Sequence, residues 1–93
     1  MRSGSKYWKS LIGQRIVVDV AAPFVYLGTL KSVDAVGLVL KDADVHDLRD
    51  SDSTREIYVL NSAHDGIRRN RKQVILRWDA VLSISRIDGV VDH

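Results

Sequence analysis

Five short apolar runs separated by turn residues limit the folds open to this chain more than any single motif does. Residues 15–20 (Arg-Ile-Val-Val-Asp-Val) are β-branched and put Ile16, Val18 and Val20 on one face of an extended segment. In residues 25–31, Val25, Leu27, Thr29 and Lys31 alternate with Tyr26, Gly28 and Leu30, and a glycine inside so regular a strand pattern predicts a bend or bulge. Leu38-Val39-Leu40, Val74-Ile75-Leu76-Arg77 and Val81-Leu82-Ser83-Ile84 supply three more strands. Pro23 has no amide hydrogen for a sheet ladder and divides the first strand from the second. Asp34-Ala35-Val36-Gly37 makes a tight turn between the second and third, and Trp78-Asp79-Ala80 joins the fourth to the fifth. The pattern predicts an all-β chain whose second strand is strongly bent.

Two segments read as helices. Residues 5–12 carry Tyr7, Trp8, Leu11 and Ile12 at helical spacing, with Ser3 or Ser5 placed to cap the start and Gly13 suited to the left-handed end. Residues 53–65 open with Ser53-Thr54-Arg55-Glu56, whose spacing lets the Ser53 hydroxyl and the Glu56 carboxylate each satisfy a free amide. Ile57, Leu60, Asn61 and His64 then share a helical face up to Gly66, although Ile57-Tyr58-Val59-Leu60 reads equally well as extended chain. The third strand runs into the acidic residues after Lys41, which predicts a solvated far end, and a polar tail is expected from Asp88 to His93.

A chain of 93 residues has room for one core, and residues 1–93 read as one domain. There is no cysteine, so neither disulfides nor a thiolate zinc site supports that core, and association with further copies is the remaining support. No stretch approaches the roughly 20 apolar residues that span a bilayer, and with no sign of an oxidising compartment the chain is expected to be cytoplasmic and to make no membrane contact. The net charge of +2 excludes little, but its distribution is uneven. Arg2, Lys6, Lys9 and Arg15 have no acid among them; residues 42–56 are acidic; Arg68, Arg69, Arg71 and Lys72 form a compact basic cluster, read either as a solvated flank or as a phosphate-binding patch.

Two stretches resemble the Sm/LSm family, which includes the bacterial RNA chaperone Hfq. Gly28-Thr29-Leu30-Lys31-Ser32-Val33-Asp34, with Leu38-Val39-Leu40 beyond the turn, is similar to the first Sm motif, and residues 74–81 are similar to the second. The resemblance is to a divergent, bacterial-type member, with residues 14–48 and 67–88 as the two motif regions and residues 53–65 as an inserted helix. It implies a short helix followed by a strongly bent five-stranded antiparallel sheet, a small open barrel of SH3-like type. It also implies cyclic assembly of five to seven copies and single-stranded RNA as a partner. Asp34 and Arg77 match the family's motif aspartate and its base-holding arginine, while Gly37 stands in a turn that lacks the asparagine holding the base with it and Trp78 replaces a glycine. Any RNA binding is therefore expected to be weak and nearly indifferent to sequence.

Residue by residue, Asp34 and Arg77 are either an ion pair tying two turns together or the remnant of a nucleotide pocket. Trp78 is either a stacking platform or a ring packed between subunits or closing the pore. Asp42, Asp44 and His46 alternate as metal ligands on one strand face would, but a single strand rarely completes a coordination sphere, and no metal or other cofactor is expected. No nucleophile elbow, phosphate-cradling loop or convergent acid–base set occurs, so the chain is not expected to be an enzyme. Two function classes remain: an RNA-binding ring, and a structural or protein-interaction ring without RNA.

Overall fold

A computed structural model describes residues 5–50 and 52–91; Arg2, Ser3 and His93 lie outside the described residues, as does the side chain of Ser5. The elements follow in the order α1 (Ser5–Ser10), β1 (Arg15–Val20), β2 (Phe24–Val33), β3 (Gly37–Asp47), α2 (Arg55–Asp65), β4 (Arg71–Arg77), a 3₁₀ turn (Trp78–Ala80), β5 (Val81–Arg86) and a second 3₁₀ turn (Ile87–Gly89). The strands form one antiparallel sheet ordered β4-β3-β2-β1-β5, so β4 and β5 are its two edges.

The sheet bends where the sequence breaks its own period. Between Leu27↔Asp44 and Thr29↔Lys41, one β2 residue, Gly28, faces two on β3, Asp42 and Ala43. A side chain at Gly28 would bring a Cβ to 3.2 Å from the Ala43 Cα, so glycine lets the strands approach at the bend without displacing β3. Asp42 takes the strain with φ of 49°, a left-handed conformation that aspartate tolerates better than most residues.

This bulge sorts the side chains into two cores. Leu38 and Leu40 point into the bent sheet with Ile16, Val18, Leu30 and Leu76, and beyond the bulge it is Ala43 that joins them. On the outer face Val17, Val25 and Leu27 pack against Val59 of α2 and Ile87 of the C-terminal 3₁₀ turn. β1 is consequently buried on both sides, with Ile16, Val17 and Val18 all inaccessible to solvent. Alternation alone predicts only one buried face.

Three expectations need correction here. The packed face of α2 is Val59 and Ser62, with Tyr58 and Ala63 beside them; Ile57, at 49% exposed, faces outward, as do Asn61 and His64. The cap is one residue later than expected: the Thr54 hydroxyl accepts from the Ile57 amide at 3.3 Å, and Glu56 pairs with Arg55. The chain after Asp88 is not simply a polar tail, because Val90 packs on the outer core.

Candidate nucleic-acid interface

The turn joining β2 to β3 is built by one carboxylate. Asp34 Oδ1 accepts from the amides of Val36 at 2.8 Å and Gly37 at 3.0 Å, while its own amide donates to the Gly37 carbonyl at 3.0 Å. These amide donors hold the Asp34 carboxyl below its usual pKa, Gly37 contributing most. Gly37 is required by contact: a Cβ there would lie 2.1 Å from the Leu76 carbonyl oxygen on β4. Gly37 also pairs directly with Arg77, so the β2–β3 turn and the β4–β5 connection meet at one end of the sheet.

The expected Asp34–Arg77 ion pair does not form. Arg77 Nη2 binds Asp79 Oδ2 at 2.8 Å, and both side chains are largely exposed, 72% and 67%. Trp78 joins the two turns instead: its amide donates to the Val36 carbonyl at 3.0 Å and its Nε1 to the Asp34 carbonyl at 2.7 Å. Its ring packs on Trp8 of α1, with centroids 5.2 Å apart and planes tilted by 39°, and adjoins the inner core. Trp78 therefore seats its own N-terminal helix. Beside this turn lies a hollow of about 70 Å³ lined by Asp34, Gly37 and Ile75, well below the few hundred Å³ of an ordinary ligand pocket.

The basic cluster is divided. Arg69 binds Asp42 at 2.7 Å, Arg71 reaches the Asn70 carbonyl at 2.9 Å, Lys72 is exposed, and Arg68 lines a separate cavity beside α2. Nor do Asp42, Asp44 and His46 share a face, because the bulge separates Asp42 from the other two, and no metal-ligand cluster occurs among the described residues.

The far end of β3, expected to be solvated, carries the structure's main buried polar group. Asp44 is 2% exposed and accepts from the Tyr58 hydroxyl and from Asn70 Nδ2, the latter at 3.1 Å. Burial first, and then the Asp44 carboxylate, push the Tyr58 phenol above its ordinary range. Tyr58 in turn stacks on His46, centroids 3.5 Å apart and planes within 6°. An isolated aspartate between apolar neighbours gives no sign of partners from α2 and from the loop before β4, and only the Asp44/His46 alternation pointed to this place.

No family model and no curated protein matches the chain. Solved structures do. An Sm protein of Pyrococcus abyssi in complex with a uridine heptamer aligns over 88% of this chain and 94% of its own, with 20% identity and TM-score 0.61. This is the Sm fold. The SmAP1 heptamer of P. aerophilum aligns over 91% and 93%, with 24% identity and TM-score 0.62. An LSm protein of Methanococcus vannielii gives 18% identity over 86% and 89%, with TM-score 0.58. The present chain carries that fold with an eleven-residue helix, α2, between β3 and β4.

Proposed function

We propose that residues 5–91 act as one Sm-like unit that closes into a ring of five to seven copies, and that the ring holds single-stranded RNA weakly and with little regard to sequence. The observation that carries the ring is the pair of open edges. Ile75 on β4 and Leu82 on β5 are 68% and 69% exposed, and unpaired edges with apolar side chains are unstable in water. Pairing β4 of one copy with β5 of the next covers both, and such head-to-tail contacts close into cyclic symmetry. Similar structures include a heptameric archaeal Sm protein and one holding a uridine heptamer. No membrane-crossing helix is present among the described residues.

RNA binding rests on Arg77, with Asp34 and Gly37 fixing the turn beside it and Arg69, Arg71 and Lys72 adding charge elsewhere. Arg77 is exposed, and its bond to Asp79 is a surface pair worth about 0–1 kcal/mol, so phosphate can displace it. Base reading is not expected, because Trp78 is packed on Trp8 and the Asp34 carboxylate is already engaged by amides. Those same contacts favour a second reading, a ring that carries no RNA.

Light scattering with size-exclusion chromatography tests the ring, and Leu82→Glu should dissociate it. Fluorescence anisotropy with labelled oligouridine at two salt concentrations tests the RNA. A monomer at micromolar concentration overturns the ring. A ring that ignores RNA at low salt, or binds it unchanged after Arg77→Ala, replaces the first reading by the second.

A further inference from the structure

A cavity of about 350 Å³ lies between α2, its C-terminal turn and the end of β3, lined by His46, Tyr58, Asn61, Asp65 and Arg68 among others. That volume falls within the usual range for small-molecule sites. Among the described residues its charged side chains Asp65 and Arg68 enter no ion pair, although the Arg68 charge is felt by the Tyr58 phenol. Most arginines of the chain bind a carboxylate, as Arg49, Arg55, Arg69, Arg77 and Arg86 do, whereas Arg68 forms no ion pair or hydrogen bond with the described residues. Asp65, three positions earlier and lining the same cavity, also has no such partner, and the two do not bind each other. Asn61 likewise makes no side-chain hydrogen bond among the described residues.

Ser53, Ser62 and Gly66 complete the lining, and two aromatic side chains in the same wall are held firmly. Tyr58 is fixed by its bond to Asp44, and Asp44 by Asn70; His46 lies flat on Tyr58. The His46 Nε2 is shielded from solvent and has no hydrogen-bond partner, so stacking is what orients that ring. A planar aromatic wall with a free carboxylate, a free guanidinium and a free amide around one cavity suits a planar heterocycle carrying donors on one edge and acceptors on the next.

We propose that this cavity is a binding site for a guanine nucleotide. A carboxylate accepts but does not donate, so Asp65 matches two adjacent N–H groups; guanine offers them at N1 and N2, and adenine, cytosine and uracil do not. A guanidinium only donates, in a planar fork, and guanine offers its acceptors O6 and N7 on the neighbouring edge. No other RNA base carries both edges. The His46–Tyr58 pair supplies the stacking surface for the base. The site lies apart from Arg77 and does not depend on the ring, and it adds base recognition that the turns at the sheet end lack.

Guanosine monophosphate, titrated into the isotope-labelled full chain, provides the test. Shifts should concentrate at His46, Tyr58, Asn61 and residues 65–68, with a Kd below about 1 mM, and with the other three monophosphates about tenfold weaker or worse. Asp65→Asn should remove the preference for guanine, and Arg68→Ala should weaken binding about tenfold; both side chains are exposed, so the fold should survive. A short single-stranded RNA with one guanine distinguishes the sources: half-maximal shifts at these same residues at a lower concentration than the mononucleotide needs assign the site to RNA, and at a higher concentration to a free nucleotide. No shift at these residues, equal response to all four bases, or unchanged selectivity in Asp65→Asn overturns the proposal.

Discussion

Removing one oxygen atom measures how firmly α2 is held to the sheet. Tyr58→Phe keeps the ring, its stacking on His46 and its packing on the outer core, and deletes only the hydroxyl that donates to Asp44. Asp44 is 2% exposed, so water cannot replace the lost donor, and Asn70 Nδ2 remains as the side-chain donor at 3.1 Å. A hydrogen bond to a carboxylate contributes about 1.5–3 kcal/mol, and the expected loss is about 2 kcal/mol, roughly 30-fold in the folding equilibrium. For a chain of 93 residues that lowers the melting temperature by on the order of 10 °C. Urea unfolding followed by circular dichroism, with both proteins at one concentration because assembly shifts apparent stability, gives the number. The raised Tyr58 pKa adds a sign. The folded state keeps the phenol proton after the unfolded chain has lost it, so stability falls as pH rises above the ordinary value of 10.0, and Tyr58→Phe should flatten that fall. A loss below about 0.5 kcal/mol refutes the reasoning, since a surface substitution would do as much.

Three further outcomes follow from single contacts. Thr54→Ala removes the acceptor for the Ile57 amide and should cost about 1 kcal/mol, whereas moving the cap to Ser53 would leave this variant neutral; thermal unfolding separates the two. Gly37→Ala drives a Cβ toward the Leu76 carbonyl oxygen and should cost at least about 1–3 kcal/mol by forcing β3 and β4 apart, with exchange of the β4 amides accelerated in hydrogen-exchange measurements. The Asp47 carboxyl, held down to about 2 from 3.8 chiefly by its hydrogen bonds to Arg49, should titrate there by NMR, so its contribution to stability is present above pH 3.8 and lost as pH falls toward 2; Arg49→Ala should return it toward 3.8.

The strands and the bend were legible because their signals are local: β-branched runs for β1 and β5, Gly28 for the bend, Asp34 and Gly37 for the turn. What the sequence hid was set by partners far along the chain. Asp42, Asp44 and His46 read as one face until the left-handed Asp42 shifts the period by one residue. Ile57, Leu60 and His64 satisfy helical spacing, yet α2 turns Val59 inward, because Val17, Val25 and Leu27 present an apolar outer face that needs a cover. The unbroken Ile16-Val17-Val18 run was the available clue, since three consecutive buried residues require apolar layers on both sides of β1. The sequence around Trp78 shows only a tryptophan in place of a glycine, whereas the partner of its ring is Trp8, in a helix seventy positions earlier.

The strand order also dictates when the sheet can be completed. β1, β2 and β3 are neighbours in sequence and can zip as successive hairpins, but β5 must find β1 from the other end of the chain, with Val18 opposite Ile84. Closing so long a loop costs chain entropy before any pairing offsets it, which places this step among the slow events of folding. Until β5 docks, β1 exposes an apolar, hydrogen-bond-hungry margin that a β5 from another copy can fill as well as its own. The single arginine that reaches across from α2, Arg55 on Asp19, which also accepts from Ser83 of β5 at 2.8 Å, meets β1 and β5 at this seam. Arg55→Ala should loosen this seam, and size-exclusion chromatography after refolding should then show a larger share of domain-swapped dimer.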